Sequence, residues 1–284
     1  MSALRRPLGV FLQGGGSLGA WQAGALERLT GAGLVFDAVM GYSIGAVNGT
    51  ALAFGRLPEA MKRWRAAHGG VMRLSPKLSP FSLFSMEPLA DFFREAHDEE
   101  RSRAELQAEF TIIAACLSEG RPVNARFTPG GRDGWDGPLH RHAAASCAIP
   151  GIFPPVDLEY RGRSVRLIDG GVPMPVPLDF SPLSRCEDVL VLEMVRADEV
   201  GRKRLAPWRV LDQGARDASR ALVDEGLQGL LRSAKPPRVL RLGPSRPLEP
   251  VMLDFRAAGI RKMLHQGAQD ADAFLHHPAS YRVS

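Results

Sequence analysis

The strongest constraint on this chain is an arrangement that occurs twice near its start: a short apolar run, a glycine-rich turn, then a segment with helical patterning. Leu8–Gln13 reads as a strand, Gly14-Gly15-Gly16 as a turn, and Leu18–Leu29 as a helix with Leu18, Ala25, Leu26 and Leu29 near one face. Phe36–Met40 reads as a second strand, Gly41 opens another turn, and Ile44–Phe54 is a helix rich in small residues. Strands interleaved with helices imply a mostly parallel sheet covered on both faces.

The rest of the chain extends this pattern. Pro58 starts a helix to about Ala67, residues 69–86 look irregular with Pro76 and Pro80, and Met86–Ala96 reads as helical. Phe110–Leu117 with Pro122–Phe127, and Val156–Tyr160 with Ser164–Ile168, flank turn signals and read as hairpins. Leu139–Ala148 reads as a short helix, Val189–Val195 as a strand, Pro207–Leu231 as a long helix, Arg238–Leu242 as a strand and Leu253–Leu275 as a helix. Charge rises around residues 198–207. That rise suggests a seam between a core domain over 7–200 and a C-terminal helical extension over 201–284 packed on it.

Composition narrows the function classes. With 45% hydrophobic and 24% charged residues among 284, the chain is globular, not disordered. No run approaches the ~18 apolar residues of a spanning helix, and Leu8–Leu12 is too short for a signal-peptide core. The expected compartment is therefore the cytoplasm, with peripheral membrane contact. Cys116, Cys147 and Cys186 lack disulfide or metal spacing and read as small buried hydrophobes. The net charge of +5 is uneven: residues 200–284 hold 15 bases and 8 acids, a local +7. Such a tail suits phosphate-bearing partners or a solvated helical surface, and nucleic acid is not the expected partner.

The two glycine turns carry the chemistry. Gly14, Gly15 and Gly16 leave backbone amides unobstructed beside a helix N-terminus, a nest for a phosphate or for the oxyanion of acyl transfer. Gly14-x-Gly16-x-x-Gly19 also fits a dinucleotide fingerprint, with Asp37 as the ribose-binding acid. Asp37, however, stands near the start of its strand, where that acid belongs at the end. Gly41-Tyr42-Ser43-Ile44-Gly45 matches G-x-S-x-G, a nucleophile elbow, and Gly15-Gly16-Ser17-Leu18-Gly19 makes Ser17 a rival. Ser43 also reads as a simple helix N-cap.

Serine needs a base. Asp169 follows a strand and precedes Gly170-Gly171. Asp-Gly is also a hairpin turn, but Pro173, Pro175 and Pro177 spoil the returning strand. A triad would draw on His265, which lies mid-helix; His68, His97, His140, His142, His276 and His277 have no motif around them. No cluster suggests a metal and none of the motifs calls for a cofactor, apart from the nucleotide of the competing oxidoreductase reading. The aromatic segment 80–86 reads as a lipid-facing flap or as loop-anchoring packing.

Taken in order, Gly14–Gly19, Gly41–Gly45 and Asp169-Gly170-Gly171, with the segment Ala144 to Val156, resemble the patatin-like phospholipase family over about residues 8–178. The resemblance implies a three-layer α/β/α patatin-like fold and hydrolysis of lipid acyl esters by a Ser–Asp dyad without a catalytic histidine. Ser43 would be the nucleophile, Asp169 the base, and Gly14, Gly15 and Gly16 the oxyanion donors. Many members of that family carry Arg or Lys where this chain has Leu18, which removes a fixed cation near the loop.

Overall fold

The computed structural model describes residues 4–66, 98–132, 134–201 and 206–283, and the backbone alone of 73–78 and 81–85. The chain forms strands β1 (Leu8–Leu12), β2 (Ala38–Tyr42), β3 (Arg73–Leu78), β4 (Phe81–Ser85), β5 (Glu109–Cys116), β6 (Arg121–Phe127), β7 (Val156–Tyr160), β8 (Arg163–Asp169), β9 (Asp188–Leu192) and β10 (Arg238–Leu242). The helices are α1 (Gly19–Gly31), α2 (Ile44–Ala53), α3 (Leu57–Ala66), α4 (Glu99–Glu105), α5 (Leu139–Ser146), α6 (Pro207–Leu231) and α7 (Ala257–His276).

The central sheet runs β10-β9-β1-β2-β5-β8-β7, with β6 also paired to β5. From β10 to β5 the strands are parallel; β6, β8 and β7 join antiparallel through the two expected hairpins. Alternation along the strands explains the layers. Val10, Leu12, Val39, Leu190, Leu192 and Leu240 turn to one face, under α1, α2 and α7. Phe11, Met40, Tyr42, Val189, Val191 and Val239 turn to the other, under Leu222, Val223, Leu227 and Leu230 of α6. A strand buried on both faces reads as a continuous apolar run, which is why β1 and β9 are buried throughout. The result is an α/β/α sandwich with a mostly parallel sheet.

Several boundaries depart from the sequence reading. β2 runs over Ala38–Tyr42, not 36–40, so it reaches the residue before Ser43. Residues 73–78 and 81–85 pair as an antiparallel ribbon where irregular chain was expected, and its register shifts between Leu74 and Lys77, where Pro76 breaks the ladder. Helix α4, which the pattern missed, starts from Asp98, whose carboxylate caps the Arg101 amide at 3.0 Å. The helix expected over Met86–Ala96 lies outside the described residues, as do Pro80 and Met86 of the aromatic segment. Cys116, Cys147 and Cys186 are free and buried. No helix among the described residues is long and apolar enough to cross a membrane.

The C-terminal residues join the same sheet through β10 and lock onto the first helix. A Cβ on Gly24 of α1 would collide with the Leu264 carbonyl oxygen of α7, and one on Gly267 of α7 with the Trp21 carbonyl oxygen of α1. These reciprocal glycines let the two backbones touch. The Trp21 indole then donates to the buried Asp270 carboxylate at 2.7 Å. Gly267→Ala is expected to cost about 1–3 kcal/mol by overpacking. Gly229→Ala, on an exposed stretch of α6 with open space around it, should gain about 0.5–1 kcal/mol. Denaturant unfolding of the two variants separates close helix contact from helix propensity.

Candidate active site

Ser43 sits on a strained bend. Its φ of 53° and ψ of −130° lie in a region non-glycine residues avoid, at a cost of roughly 1–3 kcal/mol. The turn tolerates this because its flanking glycines have no side chains. A Cβ on Gly45 would strike the Leu12 carbonyl of β1, and one on Gly41 would press on the Gly45 backbone and the same carbonyl. Ser43 stands at the N-cap position of α2, yet its side chain makes no capping bond there, which leaves the hydroxyl for other work.

Asp169 reaches this bend by strand geometry. β6 pairs along one edge of β5 from Phe110 to Cys116, so β2 and β8 must share the other edge. β2 occupies it up to Tyr42, opposite Ile113; β8 arrives from the opposite direction and ends at Asp169, opposite Ala114. The two strands therefore meet head to head at the Ile113–Ala114 step. Gly170 allows the meeting, since a Cβ there would press on the Ile113 carbonyl and the Tyr42 side chain. The Asp169 turn is thus a strand end, with no returning hairpin partner.

The Asp169 carboxylate is buried and its pKa is pushed up to about 6, chiefly by desolvation; hydrogen bonding from the Ser43 hydroxyl and from the Gly171 amide pulls in the other direction. The Gly171 amide donates to Oδ1 at 2.7 Å. Oδ2 is buried and has no partner at full hydrogen-bond geometry among the described residues, so the Ser43 interaction falls short of a complete hydrogen bond.

The segment after α5 clamps both groups. The Ser43 amide donates to the Ser146 carbonyl at 3.1 Å and to its Oγ at 2.9 Å. The same carbonyl accepts the Gly170 amide at 3.3 Å, and the Ala148 carbonyl accepts the Asp169 amide at 3.0 Å. The Ser146 hydroxyl donates onward to the Ile113 carbonyl at 2.6 Å. The sequence shows this stretch as the end of a short helix and as part of the family resemblance, but not that it ties elbow and acid to one backbone.

The glycine turn faces the same place. A Cβ on Gly14 would lie 2.9 Å from the Ser43 Cβ. Among the described residues the amides of Gly15 and Gly16 meet no acceptor, while the Gly14 backbone bonds the Tyr42 hydroxyl. Beneath the turn, Gln13 Nε2 donates to Ser219 Oγ at 3.0 Å, Gln13 Oε1 accepts the Met194 amide at 2.5 Å, and the Tyr42 hydroxyl meets Ser219 Oγ at 2.7 Å. Ser219 belongs to α6, so the sequence reading missed it: nothing in its own neighbourhood signals a distant strand turn. The rival Ser17 is fully buried, with its hydroxyl donating to the Val251 carbonyl at 3.1 Å. Leu18 is buried in the core. Asp37 lies at the start of β2, ion-paired to Arg6 and accepting the Leu8 amide at 2.7 Å. It is therefore at the opposite strand end from the glycine turn, the wrong place for a ribose-binding acid.

Gly14, Gly15, Gly16, Ser43 and Asp169 all line one cavity of about 580 Å³, walled by Ile149, Val172, Pro173, Leu211 and Met252 among others. Its remaining charged lining residue is Asp212, which accepts the Met252 amide at 2.7 Å and pairs with Arg216 at 2.8 Å. That pair holds residues 250–252 against the glycine turn, where the Met252 carbonyl accepts the Ser17 amide at 2.6 Å. No histidine among the described residues lines the cavity. His142 is buried against the Asp136 carbonyl, with its pKa lowered to about 4 by burial. His265 lies on α7, beside a neighbouring groove.

The profile of the family described as patatin-like phospholipase matches residues 10–180. An uncharacterized NTE family protein of Mycobacterium tuberculosis is 27% identical over 228 residues, covering 78% of this chain and 55% of that protein. A second from the same organism is 26% identical over 192 residues, covering 67% and 31%. The chain thus spans about half or less of the length of these relatives. Among solved structures, VipD from Legionella pneumophila aligns over 95% of this chain and 67% of its own at 12% identity and a TM-score of 0.43. The type III effector protein ExoU aligns over 96% and 53% at 16% identity and a TM-score of 0.42.

The burial of Asp169 has a stability signature. Its carboxyl titrates from an ordinary value of 3.8 to about 6 on folding, so the folded state holds the extra proton between those values. The Asp169 contribution to stability therefore falls as pH rises from about 4 to about 6 and is level above that. Asp169→Asn should remove the fall and gain up to about 3 kcal/mol over the parent protein at pH 8 relative to pH 4. Unfolding curves of the two proteins that stay parallel across this range would contradict the assignment.

Proposed function

Because this chain belongs to the patatin-like phospholipase family, we propose that it is a serine lipid acyl hydrolase of the phospholipase A or esterase type. In this reading Ser43 is the nucleophile, Asp169 its base, and the amides of Gly14, Gly15 and Gly16 receive the oxyanion. All five groups fall within residues 7–200, read as the catalytic domain. Residues 201–284, the C-terminal extension, complete the cavity wall through α6 and Met252. One observation carries the proposal: a buried carboxylate with a pKa of about 6 beside a strained serine, in a cavity where no described histidine competes for the role.

The mechanism follows from that pairing. At neutral pH Asp169 is ionised yet basic enough to take a proton. It removes the proton of Ser43 Oγ as that oxygen attacks the ester carbonyl, forming a C–O bond. The oxyanion is received by the glycine amides, of which those of Gly15 and Gly16 meet no other acceptor among the described residues. Collapse breaks the bond to the alcohol oxygen, and protonated Asp169 returns its proton to the leaving alkoxide. Water then attacks the acyl-enzyme, with Asp169 taking its proton; the fatty acid departs and Ser43 is restored. The apolar walls suit an acyl chain, and they desolvate the carboxylate that does the work.

A fluorophosphonate probe should label Ser43, and Ser43→Ala should abolish labelling. Esterase activity should fall on the order of 10⁴–10⁶-fold in Ser43→Ala, with a similar collapse in Asp169→Asn. His265→Ala should leave it unchanged. The kcat/KM profile should drop about tenfold per pH unit below an apparent pKa of about 6, because the base must be unprotonated. Labelling of Ser17 instead, or full activity in Asp169→Asn, would sink the dyad.

A further inference from the structure

The cavity mouth has a surface of its own. The first turn of α6, Pro207 to Leu211, is exposed at every residue, whereas from Gln213 onward the helix has buried residues in every turn. It carries Trp208 at 67% exposure and Leu211 at 77%, and Leu253 stands across from them at 38%. These three large apolar side chains all border the cavity that contains Ser43. Trp208 also borders the adjacent groove, whose lining includes Arg209, Arg246, Arg256 and Lys262 against the carboxylates Glu249 and Asp254. Arg256 is paired with Asp254, while Arg209, Arg246 and Lys262 have no ion-pair partner among the described residues. Solvent-exposed Trp and Leu cost free energy in water, and grouped cations repel one another; a surface that is both apolar and anionic relieves both.

We propose that this face docks on an anionic phospholipid bilayer, with Trp208, Leu211 and Leu253 entering the headgroup–acyl boundary and Arg209, Arg246 and Lys262 meeting the lipid phosphates. The charge complementarity selects a membrane over a neutral partner, and the position explains the gain. A lipid leaving the bilayer at Trp208 enters the cavity without crossing water. The cavity itself offers no cation, since its charged lining residues are Asp169 and Asp212, so the rim arginines and lysine supply the headgroup contact. The inference rests on the acyl-hydrolase reading for its purpose, but binding is measurable without turnover.

Tryptophan makes the test specific. Trp21 and Trp64 are buried, and Trp135 stacks edge-on against Phe127, leaving Trp208 as the tryptophan that is open to lipid. Emission of the whole protein should be quenched by brominated lipids in vesicles of phosphatidylcholine with phosphatidylglycerol, and far less in phosphatidylcholine alone. Trp208→Phe should abolish the quenching. The double variant Arg209→Glu, Lys262→Glu, whose residues lie outside the Ser43 cavity, should weaken vesicle partition about tenfold or more. Its hydrolysis of a soluble short-chain p-nitrophenyl ester should stay unchanged. Quenching that survives in Trp208→Phe, partition indifferent to the charge reversal, or a dimer in sedimentation that Leu211→Ser dissociates would each overturn the proposal. Vesicle binding by a protein that fluorophosphonate does not label would sustain the surface and defeat the catalytic reading alone.

Discussion

The arrangement of the site depends on two strands competing for one edge of a third. β5 gives one edge wholly to β6 and divides the other between β2 and β8, which approach from opposite ends. Neither can extend further without displacing its rival, so both must turn out of the sheet at the Ile113–Ala114 step. Ser43 and Asp169 are the residues at those turns. The Ser146 carbonyl, accepting amides from both Ser43 and Gly170, then fixes the gap between them. Precise placement of two side chains thus comes from backbone pairing, which is stiffer than any side-chain contact.

The fold holds this geometry against two unfavourable terms. Ser43 occupies a backbone conformation with positive φ, and Asp169 is removed from water. Both are destabilising when taken alone, and both are what the proposed acyl transfer would use: a hydroxyl thrust from a bend and a carboxylate basic enough to accept its proton. The offset comes from packing elsewhere. Buried alternating strands, the glycine-to-glycine contact of α1 with α7, and the Gln13–Ser219–Tyr42 network surround the site with rigid structure.

The C-terminal residues matter more to the cavity than local motifs suggest. Asp212 and Arg216 on α6 hold the backbone at 250–252, and that backbone in turn holds the glycine turn through the Ser17 amide. One wall of the cavity and the exposed apolar rim both come from this part of the chain. A site whose motifs all lie in the first two-thirds is therefore completed from the last third.

The linear chain declares whatever is local. Paired strand–turn–helix units, G-x-S-x-G, Asp-Gly-Gly and the two hairpins follow from glycine placement and from apolar periodicity, because both act over a few residues. The helix over Pro207–Leu231 could be read to the residue, since proline starts it and its amphipathic pattern is unbroken. Tertiary structure decided the rest. Whether Ser43 or Ser17 offers its hydroxyl depended on Val251, more than 200 residues away, which occupies Ser17. Whether Asp169 ends a strand or turns a hairpin depended on β2 blocking its path. Whether Asp37 belongs near the glycine turn depended on which end of β2 carries it. Each is a contact between segments far apart in sequence, and no local pattern encodes who meets whom across a sheet.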